Sequence, residues 1–171
     1  MTLRIRTLDD FYEQSKKYAG IFDAFAAKHA LVGEVKADHI CYKCGSAESF
    51  EHIRALFEQG SRYVFQSIIS GRRIAYIRMK KGIETSLGTI EFLELSDQKP
   101  DGPQRDGFDH IEAYATAYSY DDMVKKLEAV EKVVRVERPH HTTHDIEIGE
   151  EFLFRCTRGP LIEKITKEEM L

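Results

Sequence analysis

Cysteine, long apolar runs and blocks of like charge are all scarce in this chain of 171 residues. Its three cysteines are too few for a disulfide framework, and we expect them to be free thiols in a reducing compartment. No apolar run approaches the roughly 18 residues of a membrane span. The first residues also lack the apolar segment of a signal peptide. These absences predict a cytoplasmic protein that has no membrane partner.

Charge of neither sign is concentrated in one part of the chain. The 25 basic and 29 acidic side chains give a formal net charge of −4, and no run of like charge exceeds two residues. A nucleic-acid-binding protein is expected to carry a basic stripe, so this class of partner is excluded. With 42% hydrophobic residues, the chain can bury one good core or two small modules that share one.

Residues 1–36 predict a helical extension at the N-terminus. Thr7 can cap a helix that runs to about His29, and aromatic residues recur along it at helical spacing. An aromatic stripe of this kind is ordinarily a packing face. The alternative is a helix that binds a partner, including a second copy of the chain in a homodimer. The stripe consists of Phe11, Tyr18, Phe22 and Phe25.

Two similar halves follow, at residues 37–96 and 107–171. The first has the strand-like segments DHICYKC, YVFQSII, RIAYIRM and TIEFLELS, a helix capped by Ser46, a hairpin turn at Ser70-Gly71 and a charged turn before the last strand. Residues 97–106 belong to a stretch rich in Pro, Gly and Asp that predicts a linker. The second half has FDHIEAYA, a helix capped by Ser119, and KVVRVER. DIEIGEEFLFRCT then predicts a strand, a turn around Gly149 and the start of the last strand, and LIEKI closes the set. Each half therefore predicts a βαβββ module.

The repeat extends to individual residues. The triplet Asp-His-Ile occurs at His39 and again, 71 positions later, at His110. Near the end of each half, Glu94 is matched by Glu163, 69 positions later. A short triplet can recur by chance, but here it begins two matching orders of elements. We therefore expect an α+β fold in which two paired βαβββ modules form a curved mixed sheet around one cavity, with an extra N-terminal helix.

Two histidines and two glutamates, one of each per module, suit a divalent transition metal. Such ions bind neutral imidazole nitrogen and carboxylate oxygen at roughly 2.0–2.2 Å. The alternatives are two hydrogen-bonded core histidines and two solvated carboxylates. The predicted ligands are His39, Glu94, His110 and Glu163. Glu91 and Glu112 are further candidate ligands. Glu112 is also a candidate general base or a partner that orients a histidine ligand.

The segments ADHICYKC, IISGRRIAYIRM, LEL and GFDHIEAY resemble, in this order, segments of YecM-like proteins. These proteins are similar to the vicinal oxygen chelate superfamily, which includes glyoxalase I, extradiol dioxygenases, epimerases and metal-chelating resistance proteins. The resemblance covers residues 31–119 well and the C-terminal third loosely. It implies a divalent metal ion, Zn, Ni, Fe or Mn, held by His39, Glu94 and His110. Glu163 matches the fourth ligand of glyoxalase-like members.

The resemblance implies a small-molecule substrate that chelates the metal through adjacent oxygens. It does not choose among isomerase, lyase and dioxygenase chemistry, since one scaffold hosts them all. The first hypothesis is therefore a metal-dependent enzyme in which Glu112 or Glu163 moves a proton. The second is a non-catalytic protein that binds or sequesters a small ligand on the same fold. The third is an interaction protein that uses the aromatic helix.

Two further groups of residues have less defined predictions. Three histidines lie within five residues, next to a predicted hairpin turn, and two of them could replace Glu163 as a ligand or hold an acidic substrate. Arginines of the second half could hold a substrate carboxylate through two hydrogen bonds, although each is more ordinarily a surface charge. The histidines are His140, His141 and His144, of which the last two are the candidates, and the arginines are Arg135, Arg155 and Arg158.

The Cys-x-x-Cys pair is a poor metal or redox motif in this setting. Cys41 and Cys44 are three positions apart on a predicted strand, so their side chains face opposite sides of the sheet. They also lack the helix N-terminus that stabilises a reactive thiolate. We expect structural thiols at both positions and a buried thiol at Cys156.

Overall fold

A computed structural model describes residues 4–59, 61–69, 72–98, 105–138 and 141–160. Within these ranges it has three helices, α1 (Leu8–Lys28), α2 (Ala47–Glu58) and α3 (Tyr120–Glu128). The strands are β1 (Val35–Lys43), β2 (Ser61–Ile69), β3 (Arg72–Thr85), β4 (Gly88–Ser96), β5 (Gly107–Ala115), β6 (Val134–Glu137), β7 (Thr142–Gly149) and β8 (Phe152–Thr157). The order βαβββ therefore occurs twice after α1, as the sequence predicted.

Each helix begins at a side chain that accepts a hydrogen bond from the first turn. Thr7 accepts from the backbone N–H of Asp10, and Ser46 and Ser119 do the same for α2 and α3. The Asp10 carboxylate in turn accepts a hydrogen bond from the backbone N–H of Thr7, which completes a capping box. All three caps were predicted from the sequence.

All eight strands of the described residues join one mixed sheet, in the order β2-β3-β4-β1-β5-β8-β7-β6. In each module the first strand pairs in parallel with the last, β1 with β4 and β5 with β8. The modules meet where β1 and β5 pair antiparallel. This arrangement relates the two modules by a pseudo-two-fold axis and places the first strand of each at the centre of the sheet.

One turn lies further along the chain than the sequence predicted. The charged turn was expected directly after RIAYIRM, but β3 continues through Lys80 and Lys81 to Thr85. Its pairing with β4 shifts between Arg78 and Ile83, and the Tyr12 hydroxyl of α1 donates to the carbonyl of Lys81 at 2.7 Å. The Lys81 carbonyl, in the part of β3 beyond the predicted strand, thus has a hydrogen-bond partner on α1. The predicted turn at Ser70-Gly71 and the closing segment LIEKI lie outside the described residues.

The aromatic stripe of α1 packs against the protein's own sheet. Phe22 stacks on Phe154 of β8, with ring centroids 5.4 Å apart, and Tyr18 contacts Phe108 of β5 at 5.0 Å. Phe11, Phe22 and Phe25 are buried in the core. The packing-face interpretation is therefore confirmed, and the stripe is not free to bind a partner. Within the described ranges, none of the helices is long and apolar enough to cross a lipid bilayer.

Candidate metal centre

The two predicted histidines lie on the two central strands, on the face of the sheet away from the helices. Across the β1–β5 pairing, His39 is opposite Glu112 and Cys41 is opposite His110. Residues directly opposite each other in an antiparallel pair project from the same face. His39, His110 and Glu112 therefore share one face at the junction of the modules, and all three are buried.

A β-bulge precedes each histidine. The β1–β5 register skips Asp38 on β1 and Asp109 on β5, so each aspartate is the extra residue of its strand. Bulges change the direction of nearby side chains and recur next to functional sites. Here they let consecutive Asp and His side chains meet: Nδ1 of His39 lies 2.7 Å from Oδ2 of Asp38, and Nδ1 of His110 lies 2.7 Å from Oδ2 of Asp109.

These contacts fix which nitrogen of each ring faces the site. An ionised carboxylate only accepts hydrogen bonds, so Nδ1 of each histidine carries the hydrogen and donates a hydrogen bond to the aspartate. Nε2 then points toward the partner module. A carboxylate that orients a histidine in this way is the usual support of a metal ligand. The roles of Asp38 and Asp109 were missed in the sequence, although both belong to the repeated triplet.

Two glutamates complete the cluster. Nε2 of His39 is 2.8 Å from Oε2 of Glu112 and 3.1 Å from Oε2 of Glu94. Nε2 of His110 is 3.6 Å from the same two oxygens. The Glu94 side chain is 17% exposed, whereas the other three are almost fully buried, so solvent meets the cluster at Glu94.

The spacing of the four donor atoms fits a metal ion. All four lie within 4.8 Å of one another. Ligands about 2.1 Å from a metal are about 3.0 Å apart in octahedral and about 3.4 Å apart in tetrahedral geometry, close to the spacing in this cluster. Oε1 of Glu112 is buried and has no hydrogen-bond partner among the described residues. An orphaned buried carboxylate oxygen is costly unless a ligand or ion satisfies it.

The cluster shifts the pKa of each of its members. Burial opposes protonation of His39, but the charge of Glu112 and hydrogen bonds to Asp38, Glu112 and Glu94 outweigh it and raise its pKa well above 6.5. Burial would raise the pKa of the Glu94 and Glu112 carboxyls, yet the two histidines hold both well below 4.5. The carboxylates are therefore ionised, and they attract a positive charge to Nε2 of His39.

The second module places an arginine where the first has Glu94. In the parallel pairs, Glu94 is beside Cys41 on β1 and Arg155 is beside Glu112 on β5. Burial and the charge of Arg155 oppose protonation of His110, while Asp109, Glu112 and Glu94 raise its pKa above 6.5. Nη1 of Arg155 lies 3.1 Å from Nε2 of His110. Arg155 was expected to be an ordinary surface charge; it is buried.

Glu163 and His140 lie outside the described residues, and the role of Glu163 stays a prediction. His144 pairs with Cys156 and its Nδ1 contacts the Tyr120 hydroxyl of α3, so it belongs to the helix-covered face and not to the cluster. His141 lies at the β6–β7 turn, as predicted, and its backbone carbonyl accepts from Arg138.

The remaining candidates lie away from the four donors. Glu91 is exposed on β4 and lies 3.6 Å from Arg78. Arg135 and Arg158 are exposed beside the acidic residues Glu137 and Asp121. Arg135 and Arg158 are thus the ordinary surface charges that the sequence favoured, whereas Glu91, a further candidate ligand in the sequence, is an exposed residue away from the cluster.

The three cysteines are buried free thiols. Cys44 belongs to the hydrophobic core, whereas Cys41 lies outside that core and its Sγ is 3.9 Å from the Ser96 hydroxyl. Cys41, Asp109 and His110 form a second, smaller group of possible metal donors. Burial raises the pKa of the Cys156 thiol to about 12. Cys44 lies one residue beyond the end of β1, so of the Cys-x-x-Cys pair Cys41 alone is on the strand, which differs from the prediction that both are strand residues.

The structure is that of an α+β protein with two paired βαβββ modules and a cluster of two histidines and two glutamates at their junction. The chain belongs to the YecM protein family, whose model matches residues 7–151. The predicted resemblance to YecM-like proteins and the α+β fold are therefore confirmed. The paired modules are also the architecture that the resemblance to the vicinal oxygen chelate superfamily implied.

Comparison with solved structures finds similar chains at low sequence identity. One described as "Structural Genomics, Protein EC4020" is 19% identical, with a TM-score of 0.70 over 99% of this chain and 98% of that one. A methylmalonyl-CoA epimerase variant from Streptomyces coelicolor, in complex with 2-nitronate-propionyl-CoA, is 16% identical over 71% of this chain and 94% of its own, with a TM-score of 0.45. Another methylmalonyl-CoA epimerase, in complex with methylmalonyl-CoA and NH4+, is 16% identical over 72% and 94%, with a TM-score of 0.46. No curated protein matches the chain.

Proposed function

We propose that this protein is a metal-dependent enzyme of the vicinal oxygen chelate type. His39, Glu94 and His110 hold a divalent cation, Glu112 adjoins it, and a small substrate binds there through adjacent oxygens. The reaction belongs to the isomerase, lyase or oxygenase classes.

The contacts of Nε2 of His39 carry this proposal. The nitrogen is within 3.1 Å of a carboxylate oxygen of both Glu94 and Glu112, while Nδ1 is occupied by Asp38. A neutral ring would point its lone pair at two anions, which is repulsive. Either a proton or a cation must therefore lie between these atoms, and buried charges of one sign require such a partner.

The charges around the cluster favour a dication over a single proton. Among the described residues, five carboxylates and three cationic side chains are in contact there, which leaves two negative charges when both histidines are neutral. One divalent cation balances them, as a proton on each imidazole would in the metal-free protein. The carboxylates are Asp38, Glu94, Asp109, Glu112 and Asp145, and the cations are Lys43, Arg138 and Arg155.

The chain's own residues supply orientation and proton transfer. A divalent cation, when bound, provides Lewis-acid polarisation of a substrate oxygen. Asp38 and Asp109 hold the two imidazoles in the tautomer whose Nε2 faces the site. Oε1 of Glu112, buried and without a partner among the described residues, accepts a proton from the substrate. The low exposure of the cluster limits access of water.

Metal analysis tests the proposal. The purified protein is reconstituted in turn with Ni, Zn, Fe and Mn, dialysed and analysed for bound metal. We expect about one ion per chain in the wild type and its loss in His39→Ala and His110→Ala. His52→Ala is the matched control, because His52 lies on α2 and bonds only a backbone carbonyl of Arg6 among the described residues. Wild-type protein that stays empty with all four metals would exclude the enzyme.

Ligand turnover separates the enzyme from a binding protein. Metal-loaded protein is incubated with compounds that carry adjacent hydroxyl or carbonyl oxygens, in D2O, and the compounds are recovered. An enzyme that moves a proton exchanges deuterium into its substrate, and Glu112→Gln abolishes the exchange. Tight retention of a ligand without exchange or product would instead support sequestration.

A further inference from the structure

A fixed arginine flanks the cluster on its β8 side. Arg155 donates from Nε to Oδ1 of Asp145 at 2.8 Å and from Nη2 to Oδ2 at 3.1 Å. Two parallel hydrogen bonds to one carboxylate set the plane of a guanidinium group. The third nitrogen, Nη1, is thereby directed at Nε2 of His110, 3.1 Å away. This donor is therefore already in place beside the proposed metal position.

A second arginine extends the positive charge toward the surface. Arg138 follows β6; its Nε donates to the Thr143 hydroxyl at 3.2 Å, and its Nη2 lies 3.6 Å from Oδ2 of Asp145. That carboxylate already accepts two hydrogen bonds from Arg155. Burial and the charge of Arg155 lower the pKa of Arg138. Two guanidinium groups thus share one carboxylate, and the 30% exposed side chain of Arg138 is within reach of solutes.

A cation on His110 would change the partner of Arg155. Nε2 has one lone pair, so it cannot accept from Nη1 of Arg155 and bind a cation at the same time. The displaced N–H is buried and needs another acceptor, because an unmade hydrogen bond in such a place is costly. An anionic acceptor would also separate the guanidinium charge from the cation. The arrangement therefore favours a negatively charged group between them.

We propose that Arg155 and Arg138 bind a carboxylate of the substrate, so that the substrates are small acids whose carboxylate lies near the chelating oxygens. This inference rests on the proposed function, because it requires a metal-bound substrate beside His110. Arg155 contributes the buried donor, and Arg138 contributes the donor nearer to solvent. Among the described residues, these are the cationic side chains in contact with Asp145.

A pair of catechols that differ only in charge tests the inference. Nickel content is measured first, and the nickel-loaded protein is then titrated with 2,3-dihydroxybenzoate, whose carboxylate adjoins the two hydroxyls, and with the neutral 2,3-dihydroxybenzamide. Both offer the same adjacent oxygens. We expect the acid to bind on the order of tenfold more tightly than the amide, as a charge-assisted hydrogen bond implies. Arg138→Gln should remove most of this preference, and Arg138→Lys should retain part of it.

Arg135→Gln is the matched control, because Arg135 lies on β6 beside exposed Glu137 and its side chain is 60% exposed. It should leave the preference unchanged. Equal affinity for acid and amide in the nickel-loaded wild type, or equal loss in the Arg135 and Arg138 variants, would overturn the inference alone. Failure to bind nickel or any other divalent metal would overturn it together with the proposed function.

Discussion

Asp38 and Asp109 each accept a 2.7 Å hydrogen bond from Nδ1 of the histidine that follows in the sequence. Each aspartate is the extra residue of a bulge in the β1–β5 pairing. The two contacts are thus related by the pseudo-two-fold axis between the modules. Both imidazoles are held from behind in the same way, and their Nε2 atoms converge on one position.

Removing either aspartate charge should weaken metal binding without unfolding the protein. Asp38→Asn and Asp109→Asn keep the size of the side chain but lose the charge that holds Nδ1–H. We expect affinity for Ni or Zn to fall about 10- to 100-fold, the usual effect of losing such a support. Competition with a chromogenic chelator measures it. Asp121→Asn, a change at an exposed residue of α3, should bind as the wild type does.

Glu112→Gln should lower the pKa of His39 in the metal-free protein. The charge of Glu112 is the largest influence that raises this pKa against the effect of burial. Its removal leaves a neutral amide 2.8 Å from Nε2. Titration of the imidazole signals by NMR measures the change. Glu91→Gln is the control, since Glu91 is exposed on the same strand as Glu94; an equal shift in that variant would contradict the assignment.

The free energy of unfolding of the metal-free protein should depend on pH through the same pair. His39, with its pKa raised on folding, stabilises fully below its ordinary pKa of 6.5 and loses this contribution as the pH rises through the folded value. Glu112, with its pKa lowered, stabilises fully above 4.5 and loses this contribution as the pH falls. The contribution of the pair is therefore greatest between these values.

Denaturant titrations from pH 4 to pH 9 measure this dependence. The decline above pH 6.5 should be smaller in Glu112→Gln, because the partner charge of His39 is gone. An unchanged slope in this variant would show that the pair does not govern the alkaline side of the profile.

Phe22→Ala should destabilise the fold by about 3–5 kcal/mol, the usual cost of deleting a buried phenyl ring. Phe22 is fully buried and stacks on Phe154, so its removal leaves a cavity between α1 and the sheet. Chemical denaturation measures the change. Val32→Ala, at a side chain that is 61% exposed, should stay within about 0.5 kcal/mol of the wild type.

The three thiols should resist modification in the folded protein. All are buried, and burial raises the pKa of each, that of Cys156 to about 12. The reactive thiolate is therefore scarce at pH 8. A chromogenic disulfide reagent should titrate none of them rapidly before unfolding and all three in guanidinium chloride. Rapid reaction of one thiol in the folded protein would identify an accessible cysteine.

His39, Glu94 and His110 were predictable because each lies on a strand whose pattern is local and repeated. It was not predictable that Arg155 takes the position of Glu94 in the second module. Equivalent positions at the start of the modules are 71 residues apart, but Glu94 and Arg155 are only 61 apart. The hairpin strands β6 and β7 have 4 and 8 residues, against 9 and 14 in β2 and β3. The shorter second hairpin brings a different residue into the matching place.

The two β-bulges could not be predicted from the sequence pattern either. Strict alternation along a strand places Asp38 and His39 on opposite faces, and the register shift that brings them together depends on pairing with β5. Its visible trace is the aspartate before each histidine. In the same way, the buried position of Arg155 depends on Asp145 of a neighbouring strand, which no local pattern relates to it.

The candidate metal centre lies at the junction of β1 and β5, and each module contributes two of its four donors. The first module contributes His39 and Glu94, and the second contributes His110 and Glu112. A chain cut between Ser96 and Gly107 would leave each fragment with two of the four donors, and His39 would lose the charge of Glu112. The four donors therefore come together only through the pairing of the two modules, and any change that loosens the β1–β5 contact should disperse the centre.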